Sequence, residues 1–393
     1  MRKPFRFFFG LAAAALFALF APRAALGETT LGFARLSMSA NVRSGVIVRD
    51  LLNPGNTSYR LPEGTMVYIW DVQPGNDGET WYHITCQYSE DGKLRGRQGW
   101  VVSSCVDLEP LFTDVIAVSA DKDGFLALRR DGTVTGAARL TAATSGFYRA
   151  VEGMRDVAQV SAGAEGFLCV MKDGSVSVIG KAPSLAGLSG PVLMDTMQEE
   201  RTALTAEGLF STRELSWVWP AEGVDPQRVR AMEQKQSSVF MLMDDGTVAC
   251  AAFDDSRFLI MPEEKPDFSA WTDVVSIDTV MWHPKDVYFY EVFAAVRKDG
   301  TAMISPRVIE RYTLDWEDLK QISLAADYLV GVTNAGTVYA AGRSEKIIAE
   351  VSAWTEIDSV CASEDYCIGV KKDGTLVFAG KFTYGYVDKN AAQ

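Results

Sequence analysis

The chain has 393 residues, a formal net charge of −13 and only two histidines. Such acidity repels nucleic-acid phosphates and anionic lipid heads, so nucleic acid is not expected as a partner. The length exceeds one ordinary domain, and two domains are the sensible expectation.

Residues 1–27 read as a leader rather than as part of the fold. Arg2, Lys3 and Arg6 precede the apolar run Phe7–Phe20, and Ala25-Leu26-Gly27 supplies small residues at the two positions a signal peptidase inspects. Charge, short apolar core and small-x-small is the order of a secretory signal peptide. The run is too short to cross a bilayer, which takes about 20 apolar residues. No later segment is long and apolar enough either, so no membrane span is expected. Removing the leader takes four of the 38 basic residues and no acidic ones, leaving 34 against 51 and a net charge of −17.

Residues 28–108 carry Asn41-Val42-Arg43-Ser44-Gly45, Leu61-Pro62-Glu63-Gly64-Thr65-Met66-Val67, Trp81-Tyr82-His83-Ile84 and Gly99-Trp100-Val101. Met66/Tyr68/Trp70 and Tyr82/Ile84/Cys86 alternate as half-buried strands. The order of these phrases resembles the bacterial SH3-like (SH3b) domain, with a longer stretch between Gly45 and Leu61 than that family usually has. The resemblance implies a small barrel that binds peptidoglycan peptides or other extracellular ligands along an aromatic groove. Trp81 and Tyr82 are its candidate ligand residues; the alternative is that they, like Trp100, are core residues of a small barrel.

From residue 109 onward the chain repeats. Asp131-Gly132-Thr133-Val134 returns as Asp173-Gly174-Ser175-Val176, Asp245-Gly246-Thr247-Val248, Asp299-Gly300-Thr301-Ala302, Ala335-Gly336-Thr337-Val338 and Asp373-Gly374-Thr375-Leu376, with a degenerate copy at Glu207-Gly208-Leu209-Phe210. The seven glycines are spaced 42, 34, 38, 54, 36 and 38 residues apart. Asp-Gly between apolar runs predicts a two-residue hairpin with both central residues at positive φ. Four residues before each glycine stands an aliphatic residue (Leu128, Val170, Leu204, Leu242, Val296, Val332, Val370). One residue earlier stands a mostly small one (Ala127, Cys169, Ala203, Met241, Ala295, Gly331, Gly369). Two faces of one strand explain the contrast, and the small face is expected near a central axis. Phe112, Met154, Trp271, Trp316 and Trp354 form a bulky column expected between repeats.

Repeats of about 40 residues, built of strands and tight turns, fit propeller blades, and seven lies within the usual number of about 4–8. The fold class expected is therefore all-β: an SH3-like barrel followed by a seven-bladed β-propeller over residues 109–393. Asp156-Val157, Val160-Ser161-Ala162-Gly163 and Asp173-Gly174-Ser175-Val176 make the repeat similar to that of the regulator of chromosome condensation family. The family's usual His after the Ala-Gly turn is absent from every repeat. The resemblance implies a protein-binding ring. A secreted propeller of that family that inhibits β-lactamases is the nearer functional analogy.

The fifth repeat is longer, its extra residues falling within Thr279–Tyr290. Trp282, His283, Tyr288 and Tyr290 in that segment are candidate partner anchors, because Trp and Tyr dominate interface energetics; the alternative is that they fold back on their own blade. Phe125, Phe167, Tyr328 and Tyr366 are read as packing residues rather than as a ring on one face. Six scattered Cys make neither a zinc site nor a dense disulfide framework, although Cys361–Cys367 and Cys86–Cys105 are candidate bridges.

His83 and His283 fall in different domains, and no nucleophile elbow, metalloprotease helix, phosphate loop or dinucleotide fingerprint is present. No catalytic residue, metal or cofactor is expected. The sequence reads as a secreted, monomeric, non-catalytic binding protein. Its SH3-like module would tether it to the cell wall or another surface, and its propeller would recognise an extracellular protein or a cell-wall peptide or glycan. Inhibition of an extracellular enzyme and a carboxylate-based extracellular hydrolase are the alternatives.

Overall fold

The computed structural model describes residues 31–382 apart from 44–56, 76–77, 91–92, 142–143, 164–165, 181–192, 198–199, 206–207, 212–215, 218–224, 236–237, 253–267, 283–289 and 306–314. Residues 1–27, read above as a leader, lie outside the described residues. Seven strands form the first sheet: β1 (Gly32–Leu36), β2 (Ala40–Arg43), β3 (Thr57–Leu61), β4 (Met66–Pro74), β5 (Thr80–Glu90), β6 (Lys93–Val102) and β7 (Val106–Asp107). Their order is β3-β2-β6-β5-β4-β1-β7, and the pairings between them are antiparallel. Leu61 on one outer strand and Val106 on the other pack into one cluster with Val42, Ile69, Ile84 and Val101. The sheet therefore curls round its own core.

Seven small sheets follow. The first contains β8 (Val115–Asp121), β9 (Gly124–Arg129) and β10 (Val134–Ala138), with β9 in the middle. Among the described residues six of the seven have three strands in this way, while the third has four, from Leu193 to Trp217. The first strands of successive sheets touch in chain order, and the last, Ile357–Ala362, touches β8. The sheets thus close into a ring, the β-propeller arrangement in which first strands surround the axis. Closure is built from main-chain bonds. Val115 N–H donates to Gly374 O at 3.0 Å, joining blade 7 to blade 1.

The same bond recurs from blade to blade. Val157 N–H donates to Gly132 O, Val274 to Gly246, Leu319 to Gly300 and Ile357 to Gly336, all at 2.9–3.0 Å. Five of the seven repeated glycines are thus latches for the next blade. In every case the residue before the donor (Asp114, Asp156, Asp273, Asp318, Glu356) has φ of 56–58°, a left-handed conformation that Asp tolerates better than most residues. At its tightest the latch leaves no room for a side chain: a Cβ on Gly300 would lie 2.7 Å from Asp318 Cα, and one on Gly374 would lie 3.0 Å from Asp114 Cα.

The turns differ in type from the expected one. Gly132 sits at φ 84°, but Asp131 is not at positive φ; Gly132 N–H donates to Arg129 O and Arg129 N–H to Thr133 O. This is a type I turn closed by a left-handed glycine, the three-residue hairpin rather than the two-residue one. The aspartate has another task. Asp131 Oδ1 accepts from Thr133 N–H (2.8 Å) and Oγ1 (2.7 Å), and Asp245, Asp299 and Asp373 do the same with Thr247, Thr301 and Thr375. These bonds hold the carboxyls below the usual carboxylate range. Thr247 chiefly, with Arg228 behind it, takes Asp245 to about 2.

The bulky column lies between blades as expected. Trp271 packs among residues of blades 4 and 5, Trp316 among those of 5 and 6, and Trp354 among those of 6 and 7. The small column is not at the axis. It belongs to the middle strands, where Gly331 and Gly369 lie flat beneath the indoles: a Cβ there would meet Trp316 or Trp354 at 2.9 Å. Tyr328 and Tyr366 are buried, and their phenols bridge blades. Tyr328 Oη donates to the pair Ser363 O and Tyr366 O, both at 2.8 Å; Tyr366 Oη donates to Asp121 O (2.8 Å) and Gly124 O (3.0 Å) across the closure. Burial pushes both phenols well above their ordinary value.

None of the six cysteines is in a disulfide. Cys361 pairs across the sheet with Ile368, and Cys367 with Ala362. Adjacent residues on a strand point to opposite faces, so Cys361 and Cys367 face apart and the candidate bridge between them is not formed; neither is Cys86–Cys105. Burial raises the Cys86 and Cys169 thiols to about 12, as suits packing residues.

Gly300→Ala should destabilise the protein by about 1–3 kcal/mol through a strained positive φ alone, with the clash against Asp318 added. Gly153→Ala, at a site with nothing within 4 Å, should leave the thermal midpoint unchanged or raise it. Tyr366→Phe removes the buried hydroxyl that ties blade 7 to the Asp121 and Gly124 carbonyls of blade 1 and should cost about 1–3 kcal/mol by denaturant titration. The turn aspartates have depressed folded pKa values, so their contribution is present above the unfolded value of about 3.9 and is lost as pH falls through the folded one. Stability should therefore drop from about pH 4 towards pH 2, and Thr247→Val should move the NMR titration of Asp245 upward.

Candidate functional site

The first sheet is docked on the ring through an aromatic cluster. Phe33 lies 4.9 Å from Tyr68, 5.5 Å from Phe112, 5.1 Å from Phe378 and 5.3 Å from Phe382, ring centre to ring centre. Side chains of β1 and β4 thus share one buried cluster with blades 1 and 7. Polar bonds fix the register of the joint. Tyr68 Oη donates to Gly380 O (3.1 Å), and Thr85 Oγ1 to Phe382 O (3.1 Å). The Gln87 amide both donates to Leu140 O and accepts from Leu140 N–H. A Cβ on Gly32 would lie 2.5 Å from the Phe378 ring, so β1 approaches blade 7 only as glycine. A module fastened this way is not a free arm.

Beside the joint, Trp70, His83 and Trp100 form a ladder across β4, β5 and β6. The His83 ring lies 4.0 Å from Trp70 and is stacked on Trp100 at 4.6 Å and 15°. Lys381 Nζ sits 4.6 Å over the Trp70 ring, and Lys346 Nζ donates to Trp70 O at 3.2 Å. Ammonium over indole is attractive through the ring quadrupole. The ladder is thus clamped by blades 6 and 7. His83, one of the chain's two histidines, serves there as a packed ring.

Trp81 and Tyr82, the candidate groove residues, are 5 % and 8 % exposed, and Tyr82 belongs to the core of the first sheet. His283 and Tyr288 lie outside the described residues. Trp282 and Tyr290 are paired across the longest hairpin of the ring, which runs from Val274–Trp282 to Tyr290–Arg297. Its strands continue past the level where the blade 1 hairpin turns, between Asp121 and Gly124. Its base is built in: Thr279 is buried with Oγ1 donating to Val292 O at 2.9 Å, and Val280 packs against blade 6.

A further opening lies where the first sheet meets blade 1. A cleft of about 820 Å³ separates β1 and β4 from β10 and the helix α1 (Phe147–Gly153), within the range of about 300–1,000 Å³ usual for ligand sites. Arg35 from the first sheet, Arg129 from β9 and Arg155 after α1 line it, with Asp131, Glu152 and the exposed Tyr148. Each arginine is steadied by backbone carbonyls. Arg35 Nη1 donates to Gly64 O (3.2 Å), Arg129 Nε to Thr113 O (3.2 Å), and Arg155 Nη1 to Glu152 O (2.9 Å) and Met154 O (2.7 Å). Arg129 and Arg155 both pull the Asp131 carboxyl below its ordinary value, behind the larger effect of Thr133. The three arginines outnumber the two acids in a strongly acidic chain.

Sequence reading passed over this cleft because its walls come from six separate stretches of chain between Arg35 and Arg155. One local signal was available: residues 129–155 hold five arginines against one Asp and one Glu. Among the described residues, no group of three or more His, Cys, Asp or Glu is placed to hold a metal, and no helix is long and apolar enough to cross a membrane.

No protein-family model matches the chain, and no curated protein matches it in sequence. Solved structures resemble it in shape. The CRINKLY WD40 ectodomain of the Arabidopsis thaliana receptor kinase ACR4 is 11% identical, covering 68% of this chain and 95% of that one, with a TM-score of 0.43. The ectodomain of the Physcomitrella patens receptor kinase CR4 is 10% identical over 68% of this chain and 73% of that one, with a TM-score of 0.44. Yeast RCC1 (Prp20), bound to Kap60, is 13% identical over 68% and 70%, with a TM-score of 0.36. Likenesses of this size carry no inference to function, and the ring is defined by its own closing contacts.

Proposed function

We propose that this is an exported, non-catalytic recognition protein: an SH3-like module over residues 28–108, fused to a seven-bladed propeller of the regulator of chromosome condensation type over residues 109–393. Its partner is an extracellular protein or a cell-wall peptide or glycan. The observation that carries this reading is the joint. A shared aromatic core holds the two β units in one orientation and leaves a large polar cleft between them, which is the usual place for a binding site. His83, the histidine within the described residues, is sandwiched between two indoles and clamped by the ring, a setting that suits packing better than proton transfer. The extended blade 5 hairpin supplies a second projecting surface.

The mature protein should cosediment with purified cell wall or capture a protein from culture supernatant. Deleting residues 283–289, between the two strands of the blade 5 hairpin in the sequence, should weaken supernatant capture without lowering the thermal midpoint. Recovery of hydrolytic activity against cell-wall material, or no capture in either assay, would overturn the reading.

A further inference from the structure

We infer that the cleft between the first sheet and blade 1 binds an extended acidic polypeptide segment, which adds to β10 as an outer strand while its carboxylates meet Arg35, Arg129 and Arg155. The inference rests on the reading of the protein as a recognition protein and names the ligand class of that site.

Three observations converge on it. First, β10 is the outermost strand of blade 1, with no strand beyond it among the described residues. Its run Thr133–Gly136 lines the cleft directly. Such an edge presents main-chain N–H and C=O groups that an extended peptide can pair with. Second, the flanking wall is cationic in a chain whose net charge is −13. The three guanidiniums come from three different segments and reach the same opening. Third, those guanidiniums are oriented with donors to spare, and the Asp131 and Glu152 carboxylates beside them leave the three-arginine wall with one positive charge in excess. The bonds that hold them run to the carbonyls of Gly64, Thr113, Glu152 and Met154, and a guanidinium has five N–H donors, so donors remain for a ligand. Carboxylates are the complementary group, and guanidinium–carboxylate bonds are among the stronger hydrogen bonds. Tyr148, an exposed aromatic on α1, supplies an apolar wall for the residues between the acids.

Strand addition and charge pairing make separate demands on the ligand, and the test uses both. The probes are capped heptapeptides alternating Val with Glu, Gln or Lys, titrated by calorimetry against the full mature protein. The Glu peptide should bind at least tenfold more tightly than the Gln peptide, and the Lys peptide should not bind. Its affinity should fall as salt is raised, because exposed charge pairs are screened. Methylating alternate backbone nitrogens of the Glu peptide on its β10-facing edge should weaken it at least tenfold.

The triple variant Arg35→Gln/Arg129→Gln/Arg155→Gln should lose at least tenfold in affinity for the Glu peptide with an unchanged thermal midpoint. Should that midpoint fall, the single variant Arg155→Gln, at an exposed site, replaces it, with at least a threefold loss expected. Equal binding of the Glu and Gln peptides, an unaffected variant, or no binding of the Glu peptide at all would overturn the inference. The parent reading fails separately: peptide binding lost with wall or supernatant capture intact removes only the cleft assignment, whereas peptide binding intact with no capture removes only the parent reading.

Discussion

One main-chain hydrogen bond, repeated round the ring, organises most of this molecule. The carbonyl of the glycine in each Asp-Gly-Thr turn accepts the N–H that opens the next blade, and the last such bond, from Val115 to Gly374, joins the end of the ring to its beginning. The requirement is double. Glycine must adopt a positive φ to close the turn, and it must lack a Cβ so that the next backbone can come within reach. The acidic residue that opens each latched blade answers with a left-handed conformation of its own. Side chains then reinforce the contact: indoles between blades over small residues, and two buried phenols reaching carbonyls of the following blade.

Ring closure has a consequence for the first sheet. Blades 1 and 7 meet at the chain's return point, and their outer side chains Phe125, Phe378 and Phe382 face Phe33 and Tyr68. An apolar patch there would be exposed without a cover, and the first sheet supplies it. The docked position follows from glycine at residue 32 and from bonds to Gly380, Phe382 and Leu140. The cleft exists because the cover does not extend along the whole of blade 1: where the aromatic contact ends, β10 and α1 stand apart from β1 and β4, and arginines occupy the gap.

Much of this could be read from residue order. The seven-fold repeat, the aliphatic column and the inter-blade tryptophans are local regularities, and a period near 40 built of strands and tight turns points to stacked blades. The Asp-Gly-Thr phrase was readable as a turn but not as the right one. Choosing between a two- and a three-residue hairpin depends on which residues take positive φ, and Asp tolerates both answers. The small column was assigned to the axis because alternation gives two faces without saying which neighbour each meets. Cys361 and Cys367 looked bridgeable by spacing, yet the register of their hairpin sets them on opposite faces.

Sequence alone thus determined the all-β class, the number of repeats and the residues that turn and pack, because those properties are local and periodic. Only the tertiary structure decided that the first sheet shares a core with the ring, that His83 is locked between Trp70 and Trp100, and that Arg35, Arg129 and Arg155 face one cleft. Those facts depend on how segments far apart in the chain meet, and no period within a segment encodes such a meeting.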